Sequence, residues 1–271
     1  MTGDIMLNIH SPKEELIHAM DKSLLESVLS EKEHPSLELV EHDGLILMNT
    51  GIHSPDMNGI FQGHTPCRDV VESVEYAIRF FAKRQMPYYW WVGKHRNPNI
   101  SDLLEESGFE HIADLPVMVV SLEKLPTDIQ LSNIRIKTVE TMEEFEDWIM
   151  ISEQCVELEG QAVTEYWDYN RKYDYEDIQT QEFFLGYWDG IPVASCTTFK
   201  NEDIAVFYFI ATLPEYRSKG IGRAITLHAM KKARDEGYHV GGLQATPMGL
   251  SLYEKLGFET ISYEYIYKYK D

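Results

Sequence analysis

The residues Thr212-Leu213-Pro214-Glu215-Tyr216-Arg217-Ser218-Lys219-Gly220-Ile221-Gly222-Arg223 combine Arg217, Lys219 and Arg223 with two glycines inside one short stretch. An apolar run, Ile204 to Ala211, precedes them and reads as a buried strand. Ala224 to Glu236 follows with helical spacing. A strand that breaks into a basic, glycine-containing loop and then a helix can cradle a phosphate. Glycine lets backbone N–H groups approach an anion closely, and the helix N-terminus adds the positive end of its dipole. A dinucleotide fold would require Gly-x-Gly-x-x-Gly and a Walker loop Gly-Lys-Ser/Thr, and neither pattern occurs in this loop.

Elements around the loop read as a mixed sheet with helices packed on it, an α/β class. Ile134 to Lys137 is a strand. Met142 to Val156 is amphipathic, with Phe145, Trp148, Ile149 and Ser152 at helical spacing, and Thr164 to Tyr173 is a second helix. Asp189-Gly190 is a two-residue hairpin turn between Phe183–Trp188 and Pro192–Phe199. His239 to Ala245 is a strand. Thr246 is expected to cap a helix with Pro247 at its first position, Gly257 to end it, and Phe258 to Lys268 to close the sheet.

The first half echoes this plan. Asn97-Pro98 and Gly108-Phe109 stand 149 residues before Thr246-Pro247 and Gly257-Phe258, and Arg68 and Gly93 match Arg217 and Gly242 at the same spacing. Repetition at one offset indicates a duplicated domain. At that offset Gly220 faces Val71 and Gly222 faces Ser73, Asp69 adds a repelling charge, and Tyr253 faces Leu104. The expectation is a degenerate domain over 1–125 without a cofactor site, a linker at 126–132 and a catalytic domain over 133–271.

Composition narrows the class. With 271 residues, 44% of them hydrophobic, the chain can bury a sizeable core. A formal charge of -21 disfavours nucleic acid and anionic membranes. No apolar run reaches the ~20 residues of a membrane span, and no secretory signal pattern opens the chain. Cys67, Cys155 and Cys196 show no metal or redox spacing, and no histidine pair chelates at helical spacing, so no metal is expected. The expected address is the cytoplasm.

Two marks together, Arg217-Ser218-Lys219-Gly220-Ile221-Gly222 between strand and helix and Tyr253-Glu254-Lys255-Leu256-Gly257-Phe258 downstream, resemble those of the GCN5-related N-acetyltransferase (GNAT) family. The whole chain is similar to tandem proteins of that fold with a degenerate N-terminal copy. The resemblance implies acetyl-coenzyme A as donor. Ile210, Ala211 and Thr212 would then lie along the pantetheine arm and offer an N–H to the thioester oxygen. Arg217, Ser218, Lys219, Gly220, Ile221, Gly222 and Arg223 would wrap the diphosphate. Tyr253 would protonate the leaving thiol, and its ordinary pKa of ~10 keeps the proton available. Thr246 stands where the family often has Asn. It would keep a hydroxyl contact with the cofactor or only cap its helix.

The acceptor implied is an amine, on a small molecule or a peptide, which must lose a proton before it attacks. Glu202 and Asp203 are candidates to take it, with a solvated hairpin tip as the alternative, and Tyr208 could orient water. Glu157, Glu159 and Glu165, with Tyr166, Trp167, Tyr169, Tyr173 and Tyr175, would either shape a cation-binding pocket or simply pack. No Ser-His-Asp or Cys-His order supports an acyl-enzyme, so direct attack in a ternary complex is expected. The alternative is a non-catalytic acyl-coenzyme A-binding regulatory module.

Overall fold

The computed structural model describes residues 7–63, 65–93, 100–126, 133–156, 158–173 and 180–270. It divides into two compact units that interleave along the chain. Unit 1 takes 1–24, 116–156 and 174–261; unit 2 takes 25–115, 157–173 and 262–271. The spatial division thus runs differently from the repeat boundary at 126–132, whose residues from 127 lie outside the described ones.

Unit 1 is built on strands β6 (Ile134–Thr138), β7 (Gln181–Trp188), β8 (Ile191–Lys200), β9 (Ala205–Thr212) and β10 (Val240–Gln244), plus the end of β5 (Phe109–Ser121). Their order is β5-β10-β9-β8-β7-β6. All neighbours are antiparallel except β9 and β10, which are joined through helix α6 (Ile221–Asp235), as a parallel pair requires. The turn Asp189-Gly190 has positive φ at both residues, the geometry of a tight hairpin.

Alternation along β9 separates two cores. Ala205 and Phe207 pack with Ile221, Ile225, Met230 and Ala233 of α6, and with Tyr253 and Leu256 of α7 (Leu250–Leu256). Ile204 and Val206 pack on Leu16, Ala19 and Met20 from the start of α1 (Lys13–Ser30). The buried residues of α6 recur at three- and four-residue spacing, and Gly237 (φ 101°) lets Tyr238 N–H return to the Ala233 carbonyl and stop the helix. Helix α4 (Met142–Ser152) starts at Thr141, whose hydroxyl accepts the Glu144 N–H.

Unit 2 repeats the plan. Strands β1 (Glu38–His42), β2 (Leu45–Asn49), β3 (Asn58–Gln62) and β4 (Tyr89–Gly93) run in that order, and β4 then pairs with the end of β11 (Glu259–Tyr269). β3 and β4 are the parallel pair, connected by α2 (Val70–Arg84). α3 (Ile100–Glu106) precedes Gly108 as α7 precedes Gly257, and the two glycines share φ near 95°.

Two expectations need correction. α7 begins at Leu250, not at Pro247, because Thr246 to Gly249 form a separate turn in which the Thr246 carbonyl accepts the N–H groups of Gly249 and Leu250. The repeat is also not gapless. α2 starts at Val70 and α6 at Ile221, two residues beyond the 149 spacing of the glycines, so Asp69 rather than Val71 stands opposite Gly220. The strand starts that follow, Tyr89 of β4 and Val240 of β10, keep the helix spacing, so the two-residue difference arises between these strands and the glycines. Asn97 and Pro98 lie outside the described residues.

Candidate functional site: an open amide loop beside a parting strand pair

In unit 1, β9 and β10 are registered only at Ala205–Gly241 and Val206–Gly242. Beyond these positions the two strands part, while β9 stays paired to β8 through Thr212. The divergence coincides with a bulge. Ser195 faces Ala211 and Thr197 faces Tyr208, which leaves Phe209 and Ile210 opposite Cys196 alone. Phe209 carries a φ of 48°. Ile210, Ala211 and Thr212 therefore line the edge from which β10 has withdrawn.

The strand runs into the turn Pro214–Tyr216 and then the loop. Ser218 (φ 60°) and Gly220 (φ 82°) are left-handed, and alternation of this kind turns successive N–H groups inward to form an anion-binding hollow. Among the described residues, no N–H from Ser218 to Arg223 donates a hydrogen bond, and the first helical bond is Ala224 N–H to the Gly220 carbonyl. Gly220 occupies the N-cap position, so no side-chain oxygen competes there. The cations are held close by: Arg217 Nε donates to the Thr212 carbonyl (3.0 Å), and Lys219 Nζ donates to the Glu215 carbonyl (3.1 Å) while lying over Tyr216. Arg223 is half-buried on the first turn of α6.

Unit 2 fills the corresponding place with its own carboxylates. Asp43 Oδ2 accepts the N–H groups of Arg68 and Asp69 and the Ser73 hydroxyl, and its Oδ1 accepts Arg68 Nε. Asp69 accepts the Glu72 N–H at the N-cap of α2. Hydrogen bonds to the charged form, with the Asp69 N–H and the Arg68 guanidinium foremost, hold the Asp43 carboxyl far below the usual range. An internal anion thus holds donors whose counterparts in unit 1 stand free.

Tyr253 lies in the core of unit 1 against Phe258, 8% exposed. Its spacing to Gly257-Phe258 has a local cause: Gly257 (φ 95°) ends α7, and Phe258 N–H bonds back to the Tyr253 carbonyl (3.0 Å). The signature is therefore a helix stop that fixes the tyrosine one turn inward. Burial pushes the Tyr253 phenol well above its ordinary pKa, and Cys196 and Cys155 add to the shift. The same surroundings raise thiols. Burial pushes the Cys196 thiol, fully enclosed on β8, well above its ordinary value. Neither cysteine was singled out as a site residue from sequence, since nothing in their spacing connects them to Tyr253. Thr246 Oγ1 faces the Gly249 N–H at 3.4 Å.

Glu202 and Asp203 bind Lys22 Nζ at 2.6 and 2.7 Å. Tyr208 packs on the core that holds Leu16 and Met20. The second expected helix is α5 (Gln161–Asn170); there Glu165 accepts the His53 N–H (2.7 Å), Tyr166 is buried, and Tyr169 stacks on His34 and donates to Glu31, all within unit 2. Glu157 and Tyr175 lie outside the described residues.

Comparison with known proteins agrees with this geometry. Residues 143–258 match the model of the acetyltransferase (GNAT) family. No curated protein matches the chain. Among solved structures, a GCN5-related N-acetyltransferase from Kribbella flavida superposes with a TM-score of 0.74 at 17% identity, covering 94% of this chain and 96% of that one. One from Sphaerobacter thermophilus gives 0.63 at 14%, covering 95% and 91%. A tandem GNAT protein from the clavulanic acid biosynthesis pathway gives 0.60 at 14%, covering 97% and 96%. At these identities the likeness is one of fold.

Proposed function

We propose that unit 1 transfers an acetyl group from acetyl-coenzyme A to an amine by direct attack in a ternary complex, a reading supported by the match of residues 143–258 to the acetyltransferase (GNAT) family model. The observation that carries the reading is the unsatisfied run of N–H groups at the start of α6, placed in sequence directly after the strand edge at Ile210–Thr212. A diphosphate fits this run, since its oxygens accept several N–H bonds at once and the α6 dipole favours its charge. When bound, acetyl-coenzyme A supplies an acetyl group activated as a thioester.

The chain's own residues divide the remaining work. The amides of Ser218 to Arg223 bind the diphosphate, with Arg217, Lys219 and Arg223 adding charge. The free backbone edge at Ile210, Ala211 and Thr212 holds the extended arm, and Thr246 contributes its hydroxyl. Tyr253 keeps its proton at neutral pH and donates it toward the leaving sulfur. A buried phenol is a weaker acid than a free one, but a thiol in the same surroundings is weakened too, as Cys196 shows. The proton affinities of donor and acceptor therefore rise together. The acidic chain favours a cationic acceptor by long-range attraction.

Titration calorimetry with coenzyme A should show saturable binding, and acetyl-coenzyme A should be consumed against a panel of primary amines. Binding without turnover would instead support a regulatory module. Tyr253→Phe is expected to lower kcat by roughly 100-fold, at the low end for general-acid groups, with coenzyme A affinity unchanged.

A further inference from the structure

We propose that Ser195 is a positioning residue: its hydroxyl locks the bulge of β9 so that the N–H of Ile210 points into the gap left by β10. The inference rests on the acetyl-coenzyme A reading of unit 1 and names what holds its strand edge in place. Ser195 is fully buried on β8, and its Oγ donates to the Phe209 carbonyl at 2.9 Å. Phe209 has a φ of 48°, a conformation that a bulky residue keeps only when its surroundings impose it. The Trp148 ring meets the Phe209 ring edge-on at 5.5 Å and holds the side chain from the α4 side.

The direction of the next amide follows from peptide geometry. In a planar trans peptide the carbonyl of one residue and the N–H of the next lie on opposite sides. With the Phe209 carbonyl held by a residue of β8, the Ile210 N–H faces away from β8. On that side β10 has ended its register with β9 at Gly242. Neither Phe209 nor Ile210 has a partner in the β8–β9 register, so the regular ladder is interrupted at this peptide, and the Ser195 hydroxyl is the contact that holds its carbonyl. A donor aimed at developing negative charge is effective only if it is held before the reaction begins.

The test uses the full chain labelled with 15N, comparing wild type, Ser195→Ala and Thr198→Val. Thr198 is a matched control on the same strand, equally buried, whose hydroxyl has no hydrogen-bond partner among the described residues. In wild type the Ile210 amide should shift more with acetyl-coenzyme A than with coenzyme A. Ser195→Ala should abolish that difference while coenzyme A binds within about twofold of wild type, because the α6 loop is untouched. In amine acetylation Ser195→Ala should lower kcat roughly tenfold, less than deleting an oxyanion donor outright, with the KM for acetyl-coenzyme A preserved. Thr198→Val should behave as wild type. An unchanged Ile210 response in Ser195→Ala overturns the proposal, as does a parallel loss of coenzyme A affinity and melting temperature in that variant, which would mark a merely structural hydroxyl. If wild-type protein fails to bind coenzyme A at all, the acetyl-coenzyme A reading falls and this inference falls with it.

Discussion

Tyr253 illustrates how one side chain depends on an empty position next to it. Gly249 lies one helical turn before it, and a Cβ built on Gly249 would stand 2.6 Å from the Tyr253 ring and 3.2 Å from its hydroxyl oxygen. Gly249 itself has an ordinary backbone conformation, φ -85°, so an alanine there is not strained in its own right. The ring must therefore turn or shift. Gly249→Ala is expected to move the phenol and lower kcat by roughly tenfold, the scale of loss that follows small misplacements of a reacting group. Melting temperature should change by only a few degrees, in keeping with a relaxable overlap of about 1 kcal/mol. Coenzyme A binding by calorimetry should be retained. Equal kcat values for Gly249→Ala and wild type would show that the hydroxyl's position does not matter to turnover, and with Tyr253→Phe would remove this tyrosine from the mechanism.

The two helix-entry loops show the same element in an open and a closed form. The first turn of α6 leaves its N–H groups free, whereas α2 is closed by Asp43 and Asp69. The Asp43 carboxyl is held below its unfolded value, so its contribution to stability is present above the unfolded pKa of ~3.9. It is lost as pH falls through the folded value. Asp43→Asn should thus be less stable than wild type at pH 6, and the gap in melting temperature should narrow as pH drops from 5 toward 3. A gap that stays constant over that range would show that Asp43 does not fasten α2 by its charge. Much of this was legible in the sequence. Asp189-Gly190, the periodic α6 and the spacing from Tyr253 to Phe258 are local signals, and local signals survive folding. What could not be read was long-range. Val71 opposite Gly220 was inferred from a gapless repeat, and a two-residue change of spacing between the helix starts and the later glycines put Asp69 there instead. Asp43 reaches that loop from a hairpin 25 residues away in sequence. Likewise the pairing of Ser195 with Phe209 depends on a bulge that no spacing pattern announces.

At the scale of the molecule, each unit is completed by a strand from the other repeat. Residues Val117 to Ser121, the end of the first repeat, pair with Gln244 to Val240 in unit 1. Residues Glu264 to Lys268, the end of the second repeat, pair with Gly93 to Tyr89 in unit 2. Unit 1 also takes Leu16, Ala19 and Met20 from the N-terminal segment to cover Val206 and Val240. A fragment 126–271 would therefore retain the whole candidate site in sequence yet leave β10 as a bare edge, with Val240 and Leu243, both buried in the full chain, beside unpaired backbone. Exposed edges of this kind pair with other chains. The fragment should elute as aggregate in size-exclusion chromatography and show no cooperative melt, while the full chain unfolds in one transition because neither repeat can persist without the other's strand. Co-expression of 1–125 with 126–271 should restore a soluble complex that binds coenzyme A, since both missing strands are then supplied. A monomeric fragment 126–271 with a cooperative melt would show that the exchanged strands contribute little, and the second repeat would then be an autonomous domain.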